Sequence, residues 1–173
     1  MDLGAAGPEE LPLIRPGGDD AEAWEVLVVD DDADVHEATD YALQGVLILG
    51  RPIRLSHAHS AAQALQMLRR APEPAAILLD VVMETEDAGL RLVGLIRDEL
   101  KLLRPRVILR TGQPGHAPEL DTVSRYDIND YKTKNELTRN KLCTTLTAAL
   151  RSYEQLRRID ASRLALERII QAS

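Results

Sequence analysis

Five short apolar runs, each followed by a stretch of helical periodicity, constrain this chain more than any other feature. They are EVLVV (25–29), PIRLSHA (52–58), AAILLD (75–80), RVILRT (106–111) and the shorter NDYKTK (129–134). Three of the five are almost continuously apolar, the pattern of strands covered on both faces in a parallel sheet. In the first intervening stretch Val35, Ala38, Tyr41 and Ala42 share one helical face, and in the second Ala61, Ala64, Leu65 and Leu68 do so behind a Ser60 N-cap. Leu90, Val93, Leu95 and Ile96 mark a third helix, a weaker one falls near Pro118 to Arg125, and a fifth runs from Thr138 to the end. Strand and single helix, repeated in this way, predict an α/β fold: a five-stranded parallel sheet, doubly wound, with right-handed crossovers and an extended C-terminal helix.

In such a sheet, ligands sit beyond the carboxyl ends of the strands. That rule selects Asp30 and Asp31 after the first strand, Asp80 at the end of the third, Thr111 at the end of the fourth and Lys134 at the end of the fifth. Neighbouring carboxylates repel, so a cluster that stays ionised near neutrality calls for a cation or a basic partner. Two or three carboxylates with a backbone carbonyl make a hard oxygen site suited to Mg²⁺, and Mn²⁺ is a natural substitute. A carboxylate is also a nucleophile towards phosphorus, and the transfer needs charge neutralisation on the phosphoryl oxygens, here from a cation, an ammonium and a hydroxyl.

These motifs bring a family into view. The segment from Trp24 to Ser152 resembles the receiver domain of two-component response regulators, the CheY-like superfamily with a flavodoxin-like (βα)5 fold. The resemblance rests on VLVVDDD, AAILLDVVM, VILRTG and NDYKTK. It implies that Asp80 accepts a phosphoryl group from a histidine kinase or histidine phosphotransfer protein. Asp31 and Asp80 would ligate Mg²⁺ directly, Asp30 would act mainly through water, and the Val82 carbonyl would complete the set. Lys134 would grip the phosphoryl group, Thr111 would move towards it, and Tyr131 would turn inward into the space Thr111 leaves. Such chemistry is stoichiometric and self-directed, so the chain is not expected to be an enzyme.

The departures from the family pattern are specific. Met83-Glu84 stands where Met-Pro is usual, Gly89 falls one place late, and ETEDAG predicts a longer, more acidic loop after Asp80. Asn135 replaces the proline that usually follows the lysine, which leaves the Lys134–Asn135 peptide open between cis and trans. Gly112 leaves room beside Thr111, flanked by Val82 and Gln113. The loop and the missing proline resemble receivers that precede cyclic-di-GMP-hydrolysing domains. Asp32 reads as a loop residue and Asp34 as the N-cap of the first helix; His36, His57, His59 and His116 share no metal-ligand spacing and receive no catalytic role.

Composition closes off other classes. A net charge of -7 argues against general nucleic-acid binding, and Cys143, the only cysteine, excludes an internal disulfide or a cysteine-based zinc cluster. No run of ~18 apolar residues is present, so the reading is of a cytoplasmic chain that crosses no membrane. Residues 1–23, rich in Gly, Pro and acid, read as a flexible tail ahead of a receiver domain at 24–152.

The last 36 residues contain neither Pro nor Gly and would make a helix of ~54 Å, more than twice what a receiver needs. Leu142, Leu146, Ala149, Tyr153 and Leu156 follow a 4-3-4-3 spacing that Ile159, Arg163, Leu166 and Ile170 resume after an extra step. The first part is expected to pack on the sheet. Residues 153–173 are expected to extend as a coiled coil towards an output domain and to mediate a homodimer. A phosphorylation-independent interaction module of the same fold is the alternative. A phosphatase or phosphotransferase of similar fold would need a second acid two residues after its nucleophile, and that position is Val82.

Overall fold

The computed structural model describes residues 22–112, 120–134 and 138–172. All five expected parallel strands are present: β1 (Trp24–Val29), β3 (Arg51–Ala58), β4 (Ala76–Asp80), β5 (Arg106–Thr111) and β6 (Ile128–Thr133). A two-residue strand that the periodicity did not announce, β2 (Leu47–Ile48), adds an antiparallel edge, giving the order β2-β3-β1-β4-β5-β6. Its turn explains it. Leu49 and Gly50 both take positive φ (51° and 76°), which is the backbone of a two-residue hairpin whose twist matches the flanking strands. The Trp24 indole N–H donates to the carbonyl of Ile48 at 2.8 Å and anchors that hairpin over the first strand.

The helices are α1 (Ala33–Leu43), α2 (Ala61–Arg70), α3 (Ala88–Gly94), α4 (Leu120–Arg125) and α5 (Arg139–Ala172). Strand alternation divides the core into two layers. Val26, Val28, Leu78 and Ile108 meet Leu43 of α1 and Leu142, Leu146 and Leu150 of α5. Leu27, Val29, Ile77, Leu79 and Leu109 meet α2 through Leu68 and α3 through Leu92 and Val93.

Two local expectations change. The buried face of α1 is His36, Thr39 and Leu43, whereas Tyr41 is 78% exposed and Ala38 lies in solvent. An apolar pattern could not find this face, because two of its three members are polar and are buried by having partners. The N-cap of α1 is Asp32, whose carboxylate accepts from the Asp34 N–H at 3.0 Å; Asp34 sits in the first turn. The α2 reading holds, with Ser60 accepting from Gln63 N–H at 3.1 Å and Ala64 and Leu68 buried.

Beyond Gly94, α3 widens into a π-helical turn, Leu95–Glu99. Buried Arg97 sits in this turn and donates to the carbonyls of Leu102, Pro105, Tyr126 and Asp127 at 2.7–3.2 Å. A buried guanidinium is tolerated because carbonyls satisfy it, and here it ties the end of α3 to the turn before β6.

Helix α5 is 34 residues, or ~51 Å. Leu142, Leu146, Ala149, Leu150 and Tyr153 are buried, so the packed part extends one residue past the expected Ser152 boundary. Asp160 still reaches Arg104 at 3.7 Å, and beyond it Leu164, Leu166, Ile169 and Ile170 are exposed. Leu146→Ala should cost about 2–5 kcal/mol, the range for a truncated buried leucine. Leu166→Ala should change the stability of the monomer by no more than about 0.5 kcal/mol. Urea unfolding of the two variants at low protein concentration checks both, and equal losses would mean the distal helix is packed.

Candidate phosphoacceptor site

The parallel register sets the site. Val29 pairs with Leu79, which aligns Asp30 beside Asp80, and Asp80 pairs in turn with Arg110. The row Asp30, Asp80, Arg110 therefore crosses three adjacent strands at their carboxyl ends. Asp31 follows immediately and is exposed, while Asp30 is completely buried and Asp80 nearly so. Carboxylate oxygens of Asp30, Asp31 and Asp80 lie within 4.8 Å of one another, a set of hard donors close enough to share one divalent cation. Magnesium therefore fits the residues present.

Lys134, at the end of β6, spans the other side. Its ammonium is 2.8 Å from Asp80 Oδ2 and 3.0–3.1 Å from the two oxygens of Asp30. Partial burial alone would lower its pKa, but hydrogen bonds to Asp80 and Asp30 outweigh that and hold it above the ordinary lysine range. Asp80 shows the opposite balance. Desolvation raises its pKa, the hydrogen bond from Lys134 resists, and the neighbouring charge of Asp30 adds to the rise. An additional positive charge in the pocket would favour the ionised form of Asp80.

Backbone hydrogen bonds fix the loop after Asp80. The Val82 N–H donates to Asp80 Oδ1 at 3.3 Å, and the Gly89 N–H donates to the Val81 carbonyl at 3.0 Å. A Cβ on Gly89 would lie 2.0 Å from the carbonyl oxygen of Asp80. Only glycine lets α3 begin this close to Asp80, whatever its one-place shift in the sequence. Glu84 and Glu86 are exposed, as the acidic loop predicted, and Glu84 reaches across to accept from the Ala61 N–H at 2.9 Å at the start of α2.

Of the other predicted residues, Thr111 is fully buried at the end of β5, paired in register with Thr133. Tyr131 packs against the α2/α3 layer, and its buried hydroxyl meets no hydrogen-bond partner among the described residues. The Lys134 side chain passes beside Gly112, where a Cβ would make ordinary contact at 4.0 Å. Gln113, His116 and Asn135, and with Asn135 the expectation about its peptide bond, lie outside the described residues.

Two features escaped the sequence reading. Three histidines come together: His36 Nδ1 lies 2.8 Å from His57 Nδ1, the His36 and His59 ring centres are 4.2 Å apart, and His57 Nε2 lies 3.0 Å from Asp40. His36 Nε2 lies 2.8 Å from the Asp30 carbonyl, an acceptor, so that nitrogen carries the proton; burial holds the ring's pKa below the ordinary value. The cluster braces the backbone of Asp30. His36 stands about twenty residues before His57 and His59, so the cluster gives no spacing signal. The second feature is Arg110, whose buried guanidinium stands under Asp30 with Nη2 3.7 Å from Oδ2. Its signal was the strand period, since Arg110 shares the parity of buried Ile108.

Comparisons with known proteins bear on the fold that carries this pocket. The chain is 43% identical over 169 residues to 3'3'-cGAMP-specific phosphodiesterase 2 of Vibrio cholerae, a match covering 98% of this chain and 32% of that protein. It thus spans about a third of the relative's length. The signal receiver domain of an HD domain-containing protein from Pseudomonas fluorescens superposes with a TM-score of 0.63 at 23% identity, covering 78% of this chain and 99% of that one. A response regulator receiver domain protein from Clostridium thermocellum gives a TM-score of 0.62 at 18% identity over 76% and 98% of the two chains. A family described as a domain of unknown function (DUF3369) matches residues 146–173. The chain has the fold of response-regulator receiver domains. No described helix is long and apolar enough to cross a membrane.

Proposed function

We propose that this chain is the phosphoaccepting receiver of a response regulator, taking a phosphoryl group on Asp80 and passing the change to a neighbouring output domain. The observation that carries the reading is the ion-paired Lys134 bridging Asp80 and Asp30 at the mouth of a three-carboxylate pocket. A carboxylate oxygen of Asp80 attacks phosphorus, forming an O–P bond as the bond to the donor breaks and the donor leaves as imidazole or, from acetyl phosphate, as acetate. Asp31, Asp80 and the Val82 carbonyl, with Asp30 mainly through water, would hold Mg²⁺, which would supply neutralisation of the phosphoryl charge. Lys134 exchanges its contact with the Asp80 carboxylate for the phosphoryl oxygens, and Thr111 offers a hydroxyl from the adjacent strand. Tyr131, on the last strand, then reports the state of Thr111 to the surface of α4, β6 and α5, a two-state element of the kind a modification can bias.

Incubation with acetyl phosphate tests this reading. Intact mass should show one added phosphate with Mg²⁺ or Mn²⁺ and none with a chelator. Uptake that ignores the cation would overturn the reading.

The donor in this account is a histidine kinase or histidine phosphotransfer protein, and the setting is the cytoplasm. The partial-length match to a cyclic-dinucleotide phosphodiesterase supports an output domain that turns over such a nucleotide, with the receiver itself not an enzyme. Residues 24–152 with Tyr153 form the receiver and the rest of α5 is the connector; the tail expected at 1–23 lies, but for its last two residues, outside the described residues.

The exposed stripe of Leu166 and Ile170, continuing Leu156 and Ile159, is proposed to pair with its counterpart on a second copy as a parallel coil. Arg163, in the same stripe, weakens that seam. Sedimentation equilibrium should therefore show a modest, concentration-dependent dimer for the whole chain and a monomer for a chain ending at Tyr153. Equal behaviour of the two would remove α5 as the dimer element.

A further inference from the structure

We infer that Arg110 is a built-in competitor of the divalent cation, a buried positive charge that lowers the affinity of the pocket for Mg²⁺. The inference rests on the cation-site reading above. It begins with an unusual placement. Arg110 lies on a central strand, its side chain is 4% exposed, and it faces an Asp30 side chain that is 0% exposed. Burial of this kind penalises the charge, and desolvation holds the pKa of the guanidinium below its ordinary value.

The hydrogen bonding is incomplete in a directed way. Nη1 donates to the Thr39 hydroxyl at 3.2 Å, and that hydroxyl donates onward to the Val35 carbonyl at 2.6 Å. Nε and Nη2 of Arg110 have no hydrogen-bond partner among the described residues, and Oδ2 of Asp30 is ion-paired with Lys134 at 3.0 Å instead. Thr39 thus holds the guanidinium short of Asp30, at 3.7 Å, close enough for its charge to be felt and too far for a hydrogen bond. A cavity of about 120 Å³ lined by Thr39, Ala42, Arg110, Lys134 and Leu142 among others lies alongside, so the two cations border one small space.

Charge balance then gives the direction. Three carboxylates face two cations, Lys134 and Arg110, leaving the pocket with a net charge near -1. Lys134 sits at the mouth and can swing to a phosphoryl group. Arg110 cannot leave, since it is enclosed by α1 and α5. Its charge therefore opposes any cation entering the pocket, whether or not the site is phosphorylated. A receiver so built requires more Mg²⁺ before it accepts phosphate.

The test is direct titration of Mg²⁺ into the whole chain by isothermal calorimetry. Arg110→Met, similar in length and uncharged, should bind Mg²⁺ roughly tenfold more tightly, the order expected when a single charge is removed from a partly shielded site. Arg110→Lys, which keeps the charge, should remain near wild type. The sign separates this role from a structural one, because damage to the pocket would weaken binding rather than strengthen it. Should Arg110→Met not fold, Arg110→Gln carries the same expectation. Unchanged or weaker binding in a folded, uncharged variant would overturn the inference and leave the phosphoacceptor reading standing. Absence of Mg²⁺ binding by the wild-type chain would overturn both.

Discussion

Replacing Asp80 with asparagine should abolish phosphate uptake from acetyl phosphate while leaving the fold intact. The amide is nearly isosteric, so the row across β1, β4 and β5 keeps its packing, but it lacks the oxyanion that attacks phosphorus. Removing that charge also relieves the desolvation that raises the Asp80 pKa, so stability should hold or increase slightly. Intact mass spectrometry with Mg²⁺ present should find one phosphate on the wild type and none on Asp80→Asn. Circular dichroism should show the same helix content for both. Labelling of the variant at the wild-type level would place the acceptor elsewhere.

Lys134→Ala separates binding of the phosphoryl group from binding of the cation. An ammonium cannot ligate Mg²⁺, and this one occupies both Asp80 and Asp30. Its removal should weaken a stable complex with beryllofluoride by roughly 10- to 100-fold, the size of one lost charge-assisted hydrogen bond in a partly buried site. Affinity for Mg²⁺ should rise rather than fall, for the electrostatic reason argued for Arg110. Fluorine resonance intensity reads the mimic, and calorimetry reads the cation. Collapse of Mg²⁺ affinity in the variant would mean that Lys134 organises the carboxylates, and its role as phosphoryl ligand would have to be abandoned.

The residues of the pocket were legible because strand ends are legible. Once VLVVDDD, AAILLD and NDYKTK are taken as parallel strands, the register has little freedom, and Asp30, Asp31, Asp80 and Lys134 must meet at one edge. The same logic reached Thr111, while the long α5 was legible from 36 residues without Pro or Gly. It failed where burial depends on partners rather than polarity. His36 and Thr39 form the inner face of α1 because a carbonyl and a guanidinium await them, and no hydrophobic pattern records that. Arg110 was visible in principle, being a cation on the buried parity of a central strand, but its meaning depends on Asp30 eighty positions earlier. The edge strand β2 was hidden by its length, since two residues carry no periodicity and only Gly50 marks the turn.

The shift of Gly89 illustrates a different limit. Counting from Asp80 placed the glycine one residue late, which reads as a departure from the family pattern. In three dimensions it is the contact that matters: α3 begins against the Asp80 carbonyl, and the extra residue is absorbed in the Glu84–Asp87 loop, where the Thr85 hydroxyl and Arg91 both reach Asp87.

The central claim is that a phosphoryl group is carried by one carboxylate, that of Asp80, and borohydride reduction tests it most directly. Reduction converts an aspartyl phosphate to homoserine and leaves free carboxylates untouched, so it marks the acceptor itself. Freshly phosphorylated chain, reduced, digested and sequenced by mass spectrometry, should carry homoserine at position 80 and retain aspartate at 30 and 31. Homoserine at either of those positions, or at none in a chain that has gained phosphate, would contradict the account.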